Sequence, residues 1–130
     1  MVNVKQKWEN KRFVQYDKYT EQKGKQVTKK PVFFGLVNCI PNDNGRGCDK
    51  TAAASVIKHS RPTDYQVVFK ESYFNRNQNN PSKVKKIINH ELAHIPHGNN
   101  SHGPAWQRTA KKLGAGEYAT AKGTIKKKRR

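Results

Sequence analysis

The amino-acid sequence predicts a small α+β domain with an N-terminal helix, a three-stranded antiparallel sheet and two further helices near the C-terminus. Three observations lead to this class. The chain has 130 residues, of which 33% are hydrophobic, and this suits one domain with a modest core. Three short β-prone runs occupy its middle. Apolar residues at helical spacing then follow within residues 84–113.

The first half of the chain provides the N-terminal helix and the strands. Residues 3–22 are rich in lysine, glutamine and aromatic residues and are interpreted as a helix, followed by a basic linker at residues 23–30. The possible core anchors of this helix are Val4, Trp8, Phe13 and Tyr16. Turns rich in proline, asparagine, aspartate and glycine separate the β-prone runs, which predict a three-strand meander: residues 32–37, 52–58 and 65–70.

The second helix is predicted between Ser82 and Ile95, after a polar loop at residues 76–82. Ser82 is the expected N-cap, and Pro96 disfavours helical geometry at Ile95 and so marks the end. One stripe of this helix is apolar and is predicted to be buried: Val84, Ile87, Ile88, Leu92 and Ile95.

The third helix is predicted from Pro104 to Leu113, because proline suits a first helical position and Gly114 suits a stop. Residues 98–100 tolerate left-handed geometry, which allows a tight reversal before this helix. His102 would then face back toward the second helix. The predicted buried stripe is Trp106, Thr109, Ala110 and Leu113.

The second helix carries a motif with the spacing of a catalytic metal site. His90 and His94 are one helical turn apart, so their imidazoles can share one cation. Glu91 lies beside them, close enough to hold a metal-bound water without being a ligand. His102 supplies a third nitrogen when the chain turns back. Three protein ligands with one open position are the layout of a catalytic zinc, with the glutamate as general base.

Two points of this site stay open at the level of sequence. His97 competes with His102 as third ligand, and His102 is favoured because a returning segment can approach the open side of the metal. The substrate carbonyl also needs an electrophilic partner besides zinc. Four residues remain candidates for that role: Tyr65, Tyr73, His97 and Arg108.

The segments His90–His94 and His102–Trp106, with the helix end at Leu113 and Gly114, resemble the SprT-like zinc metallopeptidases, the family that includes Spartan. The specific match covers about residues 84–114. The resemblance implies a minimal zincin-like domain in which three histidines bind zinc and a glutamate is the catalytic acid/base. The implied residues are His90, His94, His102 and Glu91. Several members of the family cleave proteins on DNA.

The resemblance also sets expectations for the rest of the chain. Many family members carry a Cys-rich zinc ribbon after the peptidase core, whereas no cysteine follows Cys48 here. Residues 1–118 are predicted to form the peptidase domain and residues 119–130 a basic, disordered tail. By fold analogy, a strand edge near residues 69–74 is expected to pair with an extended substrate.

The formal net charge is +18, with 27 lysines and arginines against 9 acidic residues. Such a charge favours polyanions through counterion release, so sequence-independent nucleic-acid binding is expected. The predicted function is a monomeric zinc-dependent endopeptidase acting on proteins associated with DNA. One alternative is a basic nucleic-acid-binding protein with a structural zinc and no proteolytic activity. Another is a processing peptidase with an acidic substrate.

The compartment is predicted from the absence of targeting signals. No stretch approaches the apolar length of a membrane span, and the N-terminus lacks a secretory apolar block. An intracellular location is expected, cytoplasmic or associated with the nucleoid or nucleus. Cys39 and Cys48 could pair across a hairpin, but a reducing compartment would keep them as thiols, so a disulfide is not expected.

Overall fold

The computed structural model describes residues 4–42, 46–49, 51–60, 63–97 and 102–116. These residues form four α-helices and one three-stranded sheet, which confirms the predicted α+β class. The helices are α1 (Lys11–Gly24), α2 (Glu71–Asn77), α3 (Pro81–Leu92) and α4 (Pro104–Leu113). The strands are β1 (Val32–Val37), β2 (Ala54–Ser60) and β3 (Thr63–Lys70). A short 3-10 turn (Ile95–His97) follows α3.

The sheet is mixed, so the prediction of an antiparallel meander was wrong for one strand pair. The strand order is β1-β3-β2, with β2 antiparallel to β3 and β1 parallel to β3. Three consecutive residues of β3 are fully buried, namely Val67, Val68 and Phe69. A strand that is apolar on both faces is stabilised in the centre of a sheet. This burial fits the central position of β3, between β1 and β2.

The main core lies between one face of the sheet and the helices α1 and α3. Phe13 and Tyr16 of α1 pack against Phe34 of β1, with ring centroids 5.3 and 6.1 Å apart. The predicted apolar stripe of α3 faces the same core, and every member of it is buried: Val84, Ile87, Ile88, Leu92 and Ile95. This packing fixes α3 against the sheet and so determines where its C-terminal end lies.

The N-terminal helix starts later than predicted. The side chain of Asn10 accepts hydrogen bonds from the backbone N–H groups of Arg12 and Phe13, at 2.8 and 3.1 Å, and begins α1 there. Lys5 instead pairs with Leu36 along the outer edge of β1. Of the predicted anchors, Phe13 and Tyr16 are buried, Val4 is half-buried, and Trp8 is 54% exposed.

The sequence did not predict helix α2. Residues 69–74 were expected at a strand edge and residues 76–82 in a polar loop. Phe74 is fully buried, and Glu71 in the first turn forms ion pairs with Lys5 and Lys7 at 3.1 and 2.7 Å. An acidic residue in the first turn is favourable to the helix dipole. The N-cap of α3 also differs, because Asn80 and not Ser82 accepts from the backbone N–H of Lys83, and Pro81 opens the helix.

The two cysteines form a disulfide, so the expectation of free thiols was wrong. Cys39 and Cys48 have their Cα atoms 5.5 Å apart. Residues beside the two cysteines pair with each other, since Asp49 N–H donates to Ile40 O at 2.7 Å and Pro41 forms a β-bridge with Cys48. This pairing brings the two cysteines close together. A second buried cluster lies near this loop and contains Val37, Ile40, Ala52 and Val68.

Several predictions concern segments that the structure does not describe. The reversal at residues 98–100 lies outside the described residues, as do the basic tail and the boundary at residue 118. Among the described helices, none is long and apolar enough to cross a lipid bilayer.

Candidate metal centre

The C-terminal end of α3 brings two histidines to one side of the helix. His90 lies in the last turn and His94 in the turn that follows, where its backbone N–H donates to Glu91 O at 3.1 Å. Both imidazoles are buried, and their ring centroids are 5.3 Å apart. Although α3 ends at Leu92, His94 stays on the same side of the chain as His90.

The returning segment places a third imidazole against this pair. His102 Nε2 lies 3.4 Å from His90 Nε2, and the ring centroids of His102 and His94 are 4.8 Å apart. The potential ligand atoms of the three histidines all lie within 4.8 Å of one another. Two nitrogens bound to one tetrahedral zinc at its usual bond length are about 3.3 Å apart. The buried cluster His90, His94 and His102 could thus bind a metal ion, and the His90–His102 spacing fits zinc.

Glu91 lies beside the cluster without joining it. Its Oε2 is 3.9 Å from His90 Nε2, and the side chain is buried. A carboxylate at this distance can accept a proton from a water held at the cluster, which is the arrangement that general-base catalysis requires. The structure therefore brings together all four of the predicted site residues.

The indole of Trp106 contacts all three imidazoles. Its ring centroid lies 4.5 Å from that of His102, 4.8 Å from that of His90 and 5.3 Å from that of His94. Trp106 is 2% exposed, whereas His102 is half-buried. The indole thus covers one side of the cluster, and the more open approach is on the side of His102.

Two contacts from α4 hold the segment that carries the third histidine. Gln107 Nε2 donates to the backbone oxygen of His102 at 2.8 Å. Thr109 Oγ1 lies 2.9 Å from His97 Nε2, so His97 engages α4 and is outside the histidine cluster. Thr109 is accordingly half-buried rather than part of a fully buried stripe, whereas Trp106, Ala110 and Leu113 are buried as predicted.

Asn89, the residue before His90, links α3 to α1 and to the end of α4 through hydrogen bonds. The sequence did not predict this role. Asn89 Oδ1 accepts from the Tyr19 hydroxyl at 2.8 Å, and its Nδ2 donates to Gly114 O at 3.1 Å. Gly114 has φ +89°, which confirms the predicted helix stop. Burial raises the pKa of the Tyr19 phenol. A buried asparagine within an apolar helix was the signal that could have identified this contact.

The other sequence candidates are spread over the domain. Tyr65 is half-buried in β3, Tyr73 lies on α2, and Arg108 is exposed on α4. The predicted substrate edge at residues 69–74 was wrong, because β3 is paired on both sides and α2 begins at Glu71. The outer strand that contacts α3 is β2.

Comparison of the chain with family models, with curated proteins and with solved structures gave no match. The functional argument therefore depends on the residues of the site and on their geometry.

Proposed function

We propose that the chain is a zinc-dependent endopeptidase of the SprT-like type, with a minimal zincin-like fold, that acts on proteins associated with DNA. The observation that carries this proposal is the convergence of His90, His94 and His102 with Glu91 beside them. A purely structural zinc has no need of a buried carboxylate next to its ligands, and such sites usually close the fourth position with a protein ligand.

The donor set determines which chemistry is available. Three neutral imidazoles suit zinc, and a bound zinc supplies an acidified water and polarises the substrate carbonyl. Glu91 accepts the proton of the attacking water as the new C–O bond forms. The same carboxylate then delivers this proton to the amide nitrogen as the C–N bond breaks. Glu91 is therefore the acid/base in both halves of the reaction.

The outer edge of β2 is the best-placed strand for binding an extended substrate. β2 contacts α3, and within the described sheet it is paired only with β3. Main-chain hydrogen bonds to such an edge hold a peptide independently of its side chains. This mode of binding gives affinity with little sequence preference.

The distribution of charge supports a polyanionic partner. Within residues 71–116 the only carboxylates are Glu71, which is paired with Lys5 and Lys7, and the buried Glu91. Apart from Arg76 and Lys83, the same stretch contains five cations: Lys85, Lys86, Arg108, Lys111 and Lys112. Binding of such a surface to phosphates releases counterions whatever the base sequence. The substrate would then be a protein held on the same nucleic acid.

The experiment compares the zinc-loaded wild type with Glu91→Gln on casein, with and without DNA. We expect the wild type to cleave casein faster when DNA is present, and the variant to bind zinc equally well but to lose cleavage. DNA-independent cleavage would favour a processing enzyme. Zinc and DNA binding without any cleavage would favour the structural-zinc alternative. Retained turnover in Glu91→Gln would remove the glutamate from its assigned role.

An intracellular, nucleoid- or nucleus-associated location and a monomeric state are part of the same proposal. The Cys39–Cys48 disulfide counts against the location, because such bonds persist mainly in oxidising compartments. The redox state of the two cysteines in the cell would decide this point.

A further inference from the structure

Away from the histidine cluster, one aromatic ring of α2 is flanked by two cations. Arg76 Cζ lies 5.9 Å and Lys83 Nζ lies 5.5 Å from the centroid of the Tyr73 ring. Lys83 Nζ also donates to Asn77 Oδ1 at 3.1 Å, which holds the ammonium group between α2 and α3. Tyr73, Arg76 and Lys83 are called the cationic cluster below.

The two cations of this cluster are not neutralised within the described part of the chain. Neither Arg76 nor Lys83 has a carboxylate of a described residue within 4.0 Å. Glu71 lies in the same helix as Arg76, but its carboxylate is paired with Lys5 and Lys7. The cationic cluster therefore offers two positive charges and a polarisable ring to an external anion.

The cationic cluster lies in line with the metal centre. His90 follows Lys83 by seven positions in α3, so the two side chains project from the same helix face about 10 Å apart along the axis. Tyr73 packs against Phe69, with ring centroids 6.1 Å apart, and Phe69 pairs with Ala54 at the start of β2. Helix α2, which carries Tyr73 and Arg76, contacts β3 and β1, and Lys83 lies in α3. A peptide that follows α3 from the metal centre toward the N-terminus of this helix would therefore reach the cluster.

We propose that the cationic cluster is an anion subsite of the peptidase cleft, which binds an Asp or Glu side chain of an extended substrate about three residues from the cleaved bond. An extended chain advances about 3.3 Å per residue, so three residues span the separation between the metal ligands and the cluster. The inference rests on the proposed endopeptidase function and adds a side-chain preference to it.

A carboxylate of the substrate fits this cluster better than a nucleic-acid strand does. The guanidinium of Arg76 can bind a carboxylate through two parallel N–H groups, while Lys83 adds a point charge. A strand of nucleic acid repeats its phosphates and is held by a track of cations. One ring with two cations is suited to a single anion. Because Lys83 lies on the same face of α3 as His90, this anion is expected to belong to the polypeptide that is cleaved.

The test uses peptides that are identical except for one Glu or Gln, scanned from two to four residues on either side of the cleaved bond. With the zinc-loaded wild type, we expect kcat/KM to be about fivefold higher for Glu than for Gln at one position near the third residue, mainly through KM. The preference should disappear in Arg76→Gln/Lys83→Gln, with kcat/KM for the Glu peptide falling to that for the Gln peptide. It should also shrink in high salt.

The matched control is Lys18→Gln/Lys25→Gln, which removes one exposed charge from α1 and one from its C-cap. This control should keep the Glu preference. A wild type without any Glu preference would overturn the proposal, and so would an equal loss in both double variants. If Arg76→Gln/Lys83→Gln instead weakens binding of a DNA oligonucleotide and no Glu preference exists, the cluster is a nucleic-acid contact and not a peptide subsite.

A binding measurement keeps this inference separate from the proposed function. The Glu91→Gln variant is expected to bind the Glu peptide about fivefold more tightly than the Gln peptide, as measured by fluorescence anisotropy. If the wild type cleaves no peptide and no casein, the endopeptidase proposal fails. In that case the binding measurement alone tests the anion subsite, which fails when the binding preference is absent.

Discussion

The Nε2 atoms of His90 and His102 lie 3.4 Å apart, although twelve positions separate the two residues in the chain. Helix α3 carries the first residue, and the second precedes Pro104 at the start of α4. Gln107 holds the backbone of His102, and Trp106 packs against both rings. The approach of the two imidazoles is therefore built by the packing of α3 against the returning segment.

The first prediction separates His102 from its sequence competitor, His97. His102→Ala removes one of three ligands and should weaken zinc binding by at least about 100-fold, whereas His97→Ala should stay near the wild type because His97 engages Thr109. Competition with a fluorescent chelator measures both affinities. Loss of zinc from His97→Ala with retention by His102→Ala would reverse the assignment.

The second prediction concerns Trp106, which orients the three imidazoles. Trp106→Ala should weaken zinc binding by about tenfold, because the rings lose their packing surface, while Trp106→Phe should keep most of the affinity. The exposed Trp8 is first replaced by Phe, so that Trp106 is the only source of tryptophan fluorescence. Added Co²⁺ should then quench the remaining indole fluorescence. Unchanged fluorescence at saturating metal would place the ion elsewhere.

The third prediction concerns Asn89 as a link between helices. Asn89→Ala removes the bonds to Tyr19 and Gly114 and should lower the free energy of unfolding by about 2–3 kcal/mol. Tyr19→Phe is the matched control, since it removes only one of these bonds and should cost about 1 kcal/mol. Urea denaturation measures both. Equal effects of the two variants would show that the bond to Gly114 contributes nothing.

The fourth prediction concerns the Cys39–Cys48 disulfide, which closes a short loop. Replacing both cysteines by serine should lower the free energy of unfolding by about 2–3 kcal/mol, because the unfolded chain regains loop freedom. Zinc affinity should not change, since the disulfide lies outside the histidine cluster. Thermal denaturation with and without reductant measures the effect. Two free thiols per chain in the unreduced protein would contradict the disulfide itself.

The fifth prediction concerns the acid response of the N-terminal segment. Hydrogen bonds from Lys7 and Lys5 hold the pKa of Glu71 below its usual value of 4.5. Because the folded pKa is the lower one, this stabilisation is present above pH 4.5 and is lost as the pH falls through the folded pKa. Glu71→Gln should therefore be less stable than the wild type at pH 6, with the difference vanishing once the pH has fallen below the folded pKa of Glu71. Paired urea titrations across this range would test it, and a constant difference would argue against the ion pairs.

The sequence predicted the two C-terminal helices well because their signals are local. The apolar stripe of α3, the proline at the start of α4 and the left-handed Gly114 each act within one or two helical turns. Two of the three histidines that could hold a metal ion were predicted to lie together for the same reason, since His90 and His94 are one turn apart. Each of these features depends on neighbouring residues alone.

The parts that were missed depend on contacts between distant segments. β1 pairs with β3 and not with β2, which fits the burial of β3 on both faces and which no pattern within β1 reveals. Helix α2 is stabilised by ion pairs from Lys5 and Lys7, more than sixty positions earlier. The contacts of Asn89 with Tyr19 and Gly114 likewise join residues that are 70 and 25 positions apart.

X-ray absorption spectroscopy of the zinc-loaded protein tests the central claim most directly. We predict one zinc per chain with three nitrogen ligands and one oxygen at about 2.0–2.1 Å, and loss of one nitrogen in His102→Ala. The oxygen is the water that Glu91 would activate. A protein that takes up no zinc, or a spectrum with four nitrogen or sulfur ligands and no oxygen, would contradict the catalytic metal centre.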